Sequence, residues 1–214
     1  MVPNPPNPSR RPREELDERY APAEPLALFG QWFDAARAVE PEAEAMALAT
    51  ATPDGAPSLR WVLLRGWDER GFVFYTHSGS RKGGELAANP RAALAFHWRT
   101  PARQVRIEGT VSRVSDAESD AYFASRAVGS RLSAAASPQS RVVESRDELE
   151  RRVEELARRF RHDAAAIPRP PDWGGFRVAP QQIEFWLSRE HRLHDRLRYV
   201  CVGEGAWRIE RLAP

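Results

Sequence analysis

A serine- and glycine-rich segment followed by two cations points most directly to chemistry. It reads H-S-G-S-R-K-G-G-E-L over residues 77–86, where Ser80 is placed to cap a helix that stops at Asn89-Pro90. Arg81 and Lys82 then fall in the first turn, where the positive end of the helix dipole disfavours cations. A bound anion reverses that cost, because backbone N–H groups, hydroxyls and cations together bind phosphate. The alternative is a solvated helix start with tolerated charges.

Lys82 is the only lysine among 32 basic residues, and all the others are arginines. An ammonium is a compact charge with rotatable donors, whereas a guanidinium is a planar fork. Two interpretations stay open: the lysine is there by chance, or the position requires an ammonium.

The segment E-H-R-L-H-D-R over residues 190–196 is a second concentration of basic groups. If it forms a strand, Arg192, His194 and Arg196 share one face. Such a row favours an anionic or aromatic ligand, because arginine binds oxygen and stacks on rings. An edge strand with a solvated face is the alternative. His191 and His194 would point to opposite faces without a third ligand, so we predict no metal site.

A third set consists of Tyr122, Arg126 and Ser130, which lie four residues apart. Tyr122 and Arg126 would share one helix face, with Ser130 following in a loop. Taken alone, this spacing is typical of a surface helix. The sequence contains no G-x-G-x-x-G, Walker loop, G-x-S-x-G or Cys/His cluster, which removes the common dinucleotide, NTPase, serine-hydrolase and zinc classes.

Short β-type runs separated by turns must position these residues. Apolar residues at three- and four-residue steps predict a helix from Leu26 to Ala36. Further helices are predicted between Ser80 and Asn89, near 116–125 and over 146–161. Strands are predicted at Met46–Ala51, Ser58–Arg65, Phe72–Thr76, Ala92–Trp98, Arg103–Val114, Gly175–Val178, Gln182–Leu187, His191–Val202 and Ala206–Leu212. The sum is a mainly β, antiparallel fold with peripheral helices.

The strand segment Arg60–Leu64 is apolar on both faces. Val62 and Leu64 point one way, and Trp61 and Leu63 point the other. An antiparallel sheet that is solvated on one side should instead alternate apolar and polar residues. We therefore expect both faces to be covered, one by a core and the other by helices or a second subunit.

Composition narrows the class of protein. The 214 residues are 42% hydrophobic and 29% charged, which is typical of a globular chain. No apolar run approaches the roughly 18–20 residues of a membrane span, and a net charge of +2 argues against nucleic-acid binding. The single cysteine, Cys201, cannot form an internal disulfide, and no apolar secretory segment is present, so we expect a cytoplasmic location.

The chain divides by composition near residue 25. Residues 1–25 hold seven of the 18 prolines and little to bury, so we predict a mobile arm. Residues 26–214 are predicted to form a single domain.

Taken together and in order, nine short motifs resemble the pyridoxine/pyridoxamine 5′-phosphate oxidase family. They are R-W-V-L-L-R-G (60–66), V-F-Y-T-H-S-G-S-R-K (73–82), R-Q-V-R-I-E-G (103–109), Y-F-A-S-R (122–126), P-Q-S (138–140), W-G-G-F-R-V (173–178), Q-I-E-F-W (182–186), E-H-R-L-H-D-R (190–196) and E-R-L-A-P (210–214). The likeness runs from about residue 12 to the last residue.

The resemblance implies a split β-barrel that binds FMN at the interface of a homodimer, with segment 173–214 serving dimerisation and the active site. It implies oxidation of pyridoxine 5′-phosphate and pyridoxamine 5′-phosphate to pyridoxal 5′-phosphate, with O2 as acceptor and H2O2 as product. No nucleic acid or membrane partner is implied.

The resemblance also assigns residues. FMN contacts are implied for Arg60, Trp61, Val62, Leu63, Leu64, Arg65, Tyr75, Thr76, Arg81, Lys82, Gln104, Gln139, Ser140, Trp186 and Arg196. Among them, the cations and hydroxyls would hold the FMN phosphate, and Gln104, Trp186 and Arg196 would lie nearer the flavin ring. Substrate phosphate contacts are implied for Arg65, Tyr122, Arg126 and Ser130. Arg192 and His194 would lie over the pyridine ring as the catalytic pair.

The sequence departs from the family pattern at Arg65, where a lysine is usual, and in the stretches 127–136 and 187–189. Rival interpretations are another enzyme on the same fold, such as a flavin or deazaflavin reductase or a phenazine-pathway oxidase, and a protein that binds flavin, haem or pyridoxal phosphate without turnover. Nucleic-acid binding through the arginine-rich arm and the 151–161 helix is a third, which the interspersed glutamates of that helix disfavour.

Overall fold

An antiparallel sheet carries most of the core in a computed structural model that describes residues 16–203 and 205–214. Its strands are β1 (Ala45–Ala51), β2 (Pro57–Leu63), β3 (Gly66–Asp68), β4 (Gly71–His77), β5 (Arg91–Trp98), β6 (Arg103–Arg113), β7 (Trp173–Leu187), β8 (Asp195–Gly203) and β9 (Ala206–Arg211). The order across the sheet is β2-β1-β5-β6-β7-β4-β3, with β8 pairing with β7 and β9 pairing with β8.

Five helices and two short 3₁₀ turns surround the sheet within the described residues. They are α1 (Pro25–Arg37), α2 (Arg81–Ala88), α3 (Asp116–Ser125), α4 (Val128–Ala136) and α5 (Arg146–Arg159), with 3₁₀ turns at Ala164–Ala166 and Glu190–Arg192. The mainly β class with peripheral helices is confirmed. None of the described helices is long and apolar enough to cross a membrane.

Helix α1 closes the main core, as its apolar spacing predicts. Phe29 is fully buried, and its ring meets that of Phe72 on β4 edge-on at 4.8 Å between centroids. Trp32 packs edge-on against Phe185 of β7 at 5.2 Å. One helix face is therefore fixed against the central strands.

Strand β7 is the longest element and organises the rest. Its first half, Trp173–Val178, pairs with β4, and its second half, Gln182–Leu187, pairs with β8. The prediction of two separate strands here was wrong, because the strand passes Pro180 without leaving the sheet. Between Glu108 and Gly109 of β6 the pairing with β7 shifts register, because β7 has one residue more than β6 at this point.

Two strands and one helix also differ from the sequence prediction. The strand predicted at His191–Val202 begins only at Asp195, because Glu190–Arg192 forms a 3₁₀ turn. The strand predicted to end at Arg65 ends at Leu63. Helix α4 was not predicted, since its N-cap residue, Ala127, provides no capping side chain.

The outer face of β2 lies open within one chain. Leu59 and Trp61 are 69% and 67% exposed, and Leu63 on the same face is also exposed. The sequence analysis predicted that helices or a second subunit cover this face. The helices of the chain do not cover it, so a second subunit is the alternative that remains.

The prediction of a mobile arm over 1–25 falls partly on residues 1–15, which lie outside the described residues. Of the remainder, Leu16 is buried, and the Pro22 carbonyl accepts a hydrogen bond from the Tyr199 hydroxyl at 2.8 Å.

Candidate active site

Lys82 lies at the centre of a buried cluster of polar groups. Ser80 caps α2 by accepting a hydrogen bond from the Gly83 N–H, as predicted. The Lys82 ammonium, in a residue that is 8% exposed, donates to Thr76 Oγ1 at 2.9 Å and to Ser80 Oγ and Gln139 Oε1 at 3.3 Å each. Burial, aided by the nearby Arg60 charge, lowers the pKa of Lys82 to about 8.

Gly83 allows the start of α2 to lie against the preceding loop. A Cβ at this position would come within 2.3 Å of the Ser78 carbonyl oxygen. No side chain fits there, so a glycine is required to bring Lys82 onto Thr76.

A second polar network lies beside Lys82 and is centred on Arg60 of β2. Its Nη1 donates to the Leu48 carbonyl at 3.1 Å and to Thr50 Oγ1. Its Nη2 approaches Glu85 Oε2 at 3.2 Å. Burial alone would raise the pKa of Glu85, but hydrogen bonds from Ser58, Thr50, Arg81 and Arg60 hold that pKa at about 2.

Stacked aromatic rings separate this cluster from a further pair of arginines. Tyr75 stacks on Tyr122 at 3.9 Å between centroids and on Trp173 at 5.3 Å. The guanidinium of Arg126 lies over the Trp173 ring at 5.0 Å. Burial, with a contribution from the charge of Arg65, lowers the pKa of Arg126. An anion between these two arginines would relieve both effects.

Arg126 also has a free donor in this position. Its Nη1 is buried without a hydrogen-bond partner, which is costly for a charged group unless a ligand satisfies it. Tyr122 and Arg126 both lie against the Trp173 ring. The predicted common helix face is not formed, because Arg126 is the C-cap of α3 and has an extended backbone.

Ser130 and Ser140 are less closely tied to these groups. The expectation that Ser130 lies in a loop was wrong, because it belongs to α4, where it is exposed. Ser140 is exposed with a φ of 70°, a left-handed conformation that costs energy for a non-glycine residue.

A second group of predicted residues lies in one row across β6, β7 and β8. Gln104 pairs with Trp186, and Trp186 pairs with Arg196, so the three share one face of the sheet. Arg196 donates to Glu184 through Nε at 2.8 Å and to the Ala213 carbonyl through Nη1 at 2.7 Å. Glu184 therefore holds Arg196 in place, together with the C-terminal tail.

His194 joins this row from the loop before β8. Its ring lies 4.5 Å from that of Trp186 between centroids. Its Nδ1 accepts a hydrogen bond from the Arg189 N–H at 3.1 Å. Nδ1 is therefore unprotonated in this arrangement, and the neutral ring carries its proton on Nε2.

Arg192 does not lie on a strand, contrary to the prediction. His191 and Arg192 have φ values of 56° and 63°, so the alternation that would align Arg192 with His194 and Arg196 does not apply. Two successive non-glycine residues in the left-handed region each cost about 1–3 kcal/mol and occur most often at functional sites.

The two groups of residues lie at opposite ends of β7. Thr76 pairs with Gly174 near its start, and Arg196 pairs with Trp186 near its end. Twelve residues separate those positions, up to about 40 Å along a straight strand. We name them the phosphate end, centred on Lys82 and Arg126, and the ring end, centred on Trp186 and His194.

Comparison with known proteins identifies the family. A family model described as pyridoxamine 5′-phosphate oxidase matches residues 33–160, and one described as the pyridoxine 5′-phosphate oxidase C-terminal dimerisation region matches residues 173–214. The chain belongs to the pyridoxamine 5′-phosphate oxidase family.

Relatives and solved structures agree with this assignment. The chain is 59% identical over 203 residues to the pyridoxine/pyridoxamine 5′-phosphate oxidase of Rubrobacter xylanophilus, covering 94% of this chain and 92% of that one. For its Bordetella petrii counterpart the figures are 55% identity, 94% and 95%. The crystal structure of PhzG from Burkholderia lata, in complex with tetrahydrophenazine-1-carboxylic acid, has a TM-score of 0.86 at 36% identity, covering 92% and 95%.

Membership of the pyridoxamine 5′-phosphate oxidase family confirms the predicted split β-barrel, and FMN is the cofactor of this oxidoreductase. The residues present fit FMN. A phosphate group needs cations and hydroxyl donors, and Lys82 supplies a buried ammonium beside Thr76 and Ser80.

The structure shows three residues of this site that the sequence analysis did not assign a role: Glu85, Glu184 and Trp173. Glu85 was missed, although its spacing of four residues from Arg81 was a signal for an ion pair. Glu184 and Trp173 appear in the sequence analysis only as letters of motifs. Their contacts with Arg196 and Arg126 depend on how the strands and helices pack, which the sequence alone does not show.

Proposed function

We propose that the chain oxidises pyridoxine 5′-phosphate and pyridoxamine 5′-phosphate to pyridoxal 5′-phosphate. The main observation behind this proposal is that two neighbouring sets of cationic residues lie at the phosphate end. One set surrounds Lys82, and the other contains Arg65 and Arg126. Tyr75 stacks on Tyr122 near Arg126, and Thr76 accepts from Lys82, so both sets lie at the same end of β4. Two such sets support a phosphorylated cofactor and a phosphorylated substrate.

The FMN-binding residues are proposed as the resemblance assigns them. Lys82, Thr76, Arg60, Arg81 and Gln139 would lie at the phosphate, since they belong to two adjacent networks of donors and cations. When bound, FMN supplies a two-electron acceptor for the substrate carbon and passes the electrons to O2. The remaining assigned FMN contacts are Trp61, Val62, Leu63, Leu64, Arg65, Tyr75, Gln104, Ser140, Trp186 and Arg196.

One group of residues would bind the phosphate of the substrate, and a second group would bind its pyridine ring. Arg65, Tyr122, Arg126 and Ser130 are proposed to bind its phosphate, which serves as a remote handle that orients the reacting carbon. Arg192 and His194 are proposed to lie against its pyridine ring. Because Nδ1 of His194 accepts from the backbone, the N–H at Nε2 is the group left to donate a hydrogen bond to the substrate.

The overall reaction balances with O2 as the oxidant. The alcohol of pyridoxine 5′-phosphate loses two hydrogens, which yields the aldehyde and H2O2. The amine of pyridoxamine 5′-phosphate also consumes one water, which yields the same aldehyde, ammonia and H2O2. The protein's contribution is binding, orientation and proton movement.

We also propose that the working unit is a homodimer with FMN at its interface. Within one chain the phosphate end and the ring end lie near opposite ends of β7, 12 residues apart in sequence, and the ring end is partly exposed. The exposed Leu59, Trp61 and Leu63 offer an apolar face for a second copy. The 173–214 segment, with its match to a dimerisation region, would bring the ring end of one chain to the phosphate end of the other.

Two further proposals rest on the sequence. Residues 26–214 form one domain, and the protein is cytoplasmic, in keeping with its single cysteine.

Oxidation of a phenazine-type carboxylic acid is the second candidate, favoured by the likeness to PhzG. Anaerobic addition of pyridoxamine 5′-phosphate to the FMN-loaded protein distinguishes the two. We expect flavin absorbance near ~450 nm, a property of the cofactor, to bleach and to recover when O2 is admitted, with aldehyde formed. Absence of bleaching despite bound FMN would reject the proposal, and bleaching by tetrahydrophenazine-1-carboxylic acid alone would favour the second candidate.

A further inference from the structure

Glu85 lies beside the phosphate-end cations and has no role in the function proposed above. It is only 6% exposed. Its Oε2 accepts from Arg60 Nη2 at 3.2 Å, from Ser58 Oγ at 2.5 Å and from the Thr50 hydroxyl. Its Oε1 accepts from Arg81 Nε at 2.9 Å.

One carboxylate therefore links two arginines that come from different elements. Arg60 belongs to β2 and Arg81 to the first turn of α2. Each of the two Glu85 oxygens receives one guanidinium. The Arg81 side chain is otherwise largely exposed, at 64%, so Glu85 is what holds it against this site.

Charge alone does not explain a carboxylate at this position. A negative group beside a phosphate site repels the ligand, and its own burial is unfavourable unless cations and hydroxyls compensate. The Ser58 and Thr50 hydroxyls complete that compensation. The buried Glu85 carboxylate is a rigid acceptor that fixes the direction of two flexible donors, Arg60 and Arg81.

We propose that Glu85 is a positioning residue for the FMN phosphate, which holds Arg60 and Arg81 in their binding orientation before the cofactor arrives. This inference rests on the proposed function, because it takes Arg60, Arg81 and Lys82 as FMN contacts. In this proposal Glu85 acts through the two arginines and not by its own contact with the cofactor.

The test compares FMN with riboflavin, which has the same ring and no phosphate. Dissociation constants are measured by flavin fluorescence on the full chain freed of flavin. Glu85→Asp keeps the charge but withdraws the oxygens, so we expect the Kd for FMN to rise about tenfold, equivalent to ~1.4 kcal/mol. The Kd for riboflavin is expected to change less than about twofold, because the ring contacts are unaffected.

Glu85→Gln gives a second reading from a variant of nearly identical shape. Its oxygen still accepts from Arg60, but its amide cannot accept from Arg81, so we expect the Kd for FMN to rise about threefold. Charge counting predicts the reverse, since removing a negative group should tighten FMN binding. Tighter binding by Glu85→Gln, parent-like binding by Glu85→Asp, or equal weakening of riboflavin would each overturn the inference.

Lys82→Ala and Arg60→Ala separate this inference from the proposed function. If neither variant reduces the preference for FMN over riboflavin, the proposed phosphate site is wrong. If both reduce it while the Glu85 variants retain the parent preference, the site stands and only the role of Glu85 is rejected.

Discussion

The phosphate end and the ring end differ in how completely one chain builds them. At the phosphate end, Lys82 is buried and makes three hydrogen bonds within the chain. At the ring end, Arg192 is exposed and lies in a left-handed turn, and His194 is only partly covered. The strands and helix of one chain bury the phosphate end, whereas they leave the ring end partly exposed to solvent.

The difference follows from the secondary structure that carries each region. The phosphate end rests on β4, α2 and the aromatic stack, where Gly83 and the two glycines after Trp173 permit close packing. The ring end rests on the last strands of the sheet and on the loop between β7 and β8. A binding site that one region pre-organises and the other leaves open suits assembly from two chains.

The largest expected effect comes from the exposed face of β2. Replacing Trp61 and Leu63 together by Glu places charges on the apolar surface that the account assigns to the partner chain. We expect a monomer and loss of activity by more than about 100-fold, since hot-spot aromatics dominate interfaces. Sedimentation and turnover check this. Val39→Glu, at an exposed apolar residue elsewhere, is the control, and a fully active monomer would refute the comparison.

Arg126→Ala breaks the substrate side of the phosphate end. Hydrogen bonds to charged groups contribute about 1.5–3 kcal/mol, so we expect KM for the phosphorylated substrate to rise roughly 10–100-fold. The Kd for FMN should stay close to that of the parent chain, because the Lys82 set is intact. An unchanged KM would remove Arg126 from the substrate site.

The pH dependence of FMN binding sharpens the role of Lys82. With a pKa of about 8 in the free protein, the ammonium is charged below pH 8 and loses its proton above it. Binding then requires proton uptake, so the Kd for FMN should rise with pH above about 8, by up to tenfold per unit. Lys82→Arg stays charged and should show no such rise. An equal rise in both proteins would assign the titration elsewhere.

Arg65→Lys should have the smallest effect. The substitution introduces the lysine that the resemblance implies at this position and keeps the charge, but replaces a planar fork by a point donor. We expect KM to change by less than about threefold, within the range of a weak or exposed charge contact. A loss comparable with that of Arg126→Ala would show that the fork itself is needed.

The sequence predicted the phosphate end better than the ring end, for a physical reason. Ser80, Arg81 and Lys82 are adjacent, and the capped start of a helix has a local signature, so their grouping needed no tertiary information. The spacing of Tyr122 and Arg126 predicted a common helix face, whereas Arg126 is the C-cap of α3 with an extended backbone.

The ring end depended on strand pairing and on an irregular loop. A period-two pattern from Arg192 to Arg196 predicted a strand, but the backbone of His191 and Arg192 turns instead. The partners of Arg196, Glu184 and the Ala213 carbonyl, are 12 and 17 residues away in sequence. No local pattern reveals such contacts, and the same holds for the bridge that Glu85 makes between β2 and α2.

The central claim is that each active site combines the phosphate end of one chain with the ring end of another. Its most direct test co-expresses two variants, Arg126→Ala and the double variant Arg192→Ala/His194→Ala. Activity is measured at a substrate concentration well below the KM of the parent chain, where each variant alone should keep at most about a tenth of the parent activity. Random pairing puts half of the chains in mixed dimers, and each mixed dimer regains one intact site, so about a quarter of the parent activity should return. If no activity returns although mixed dimers form, each site is built within a single chain and the claim is contradicted.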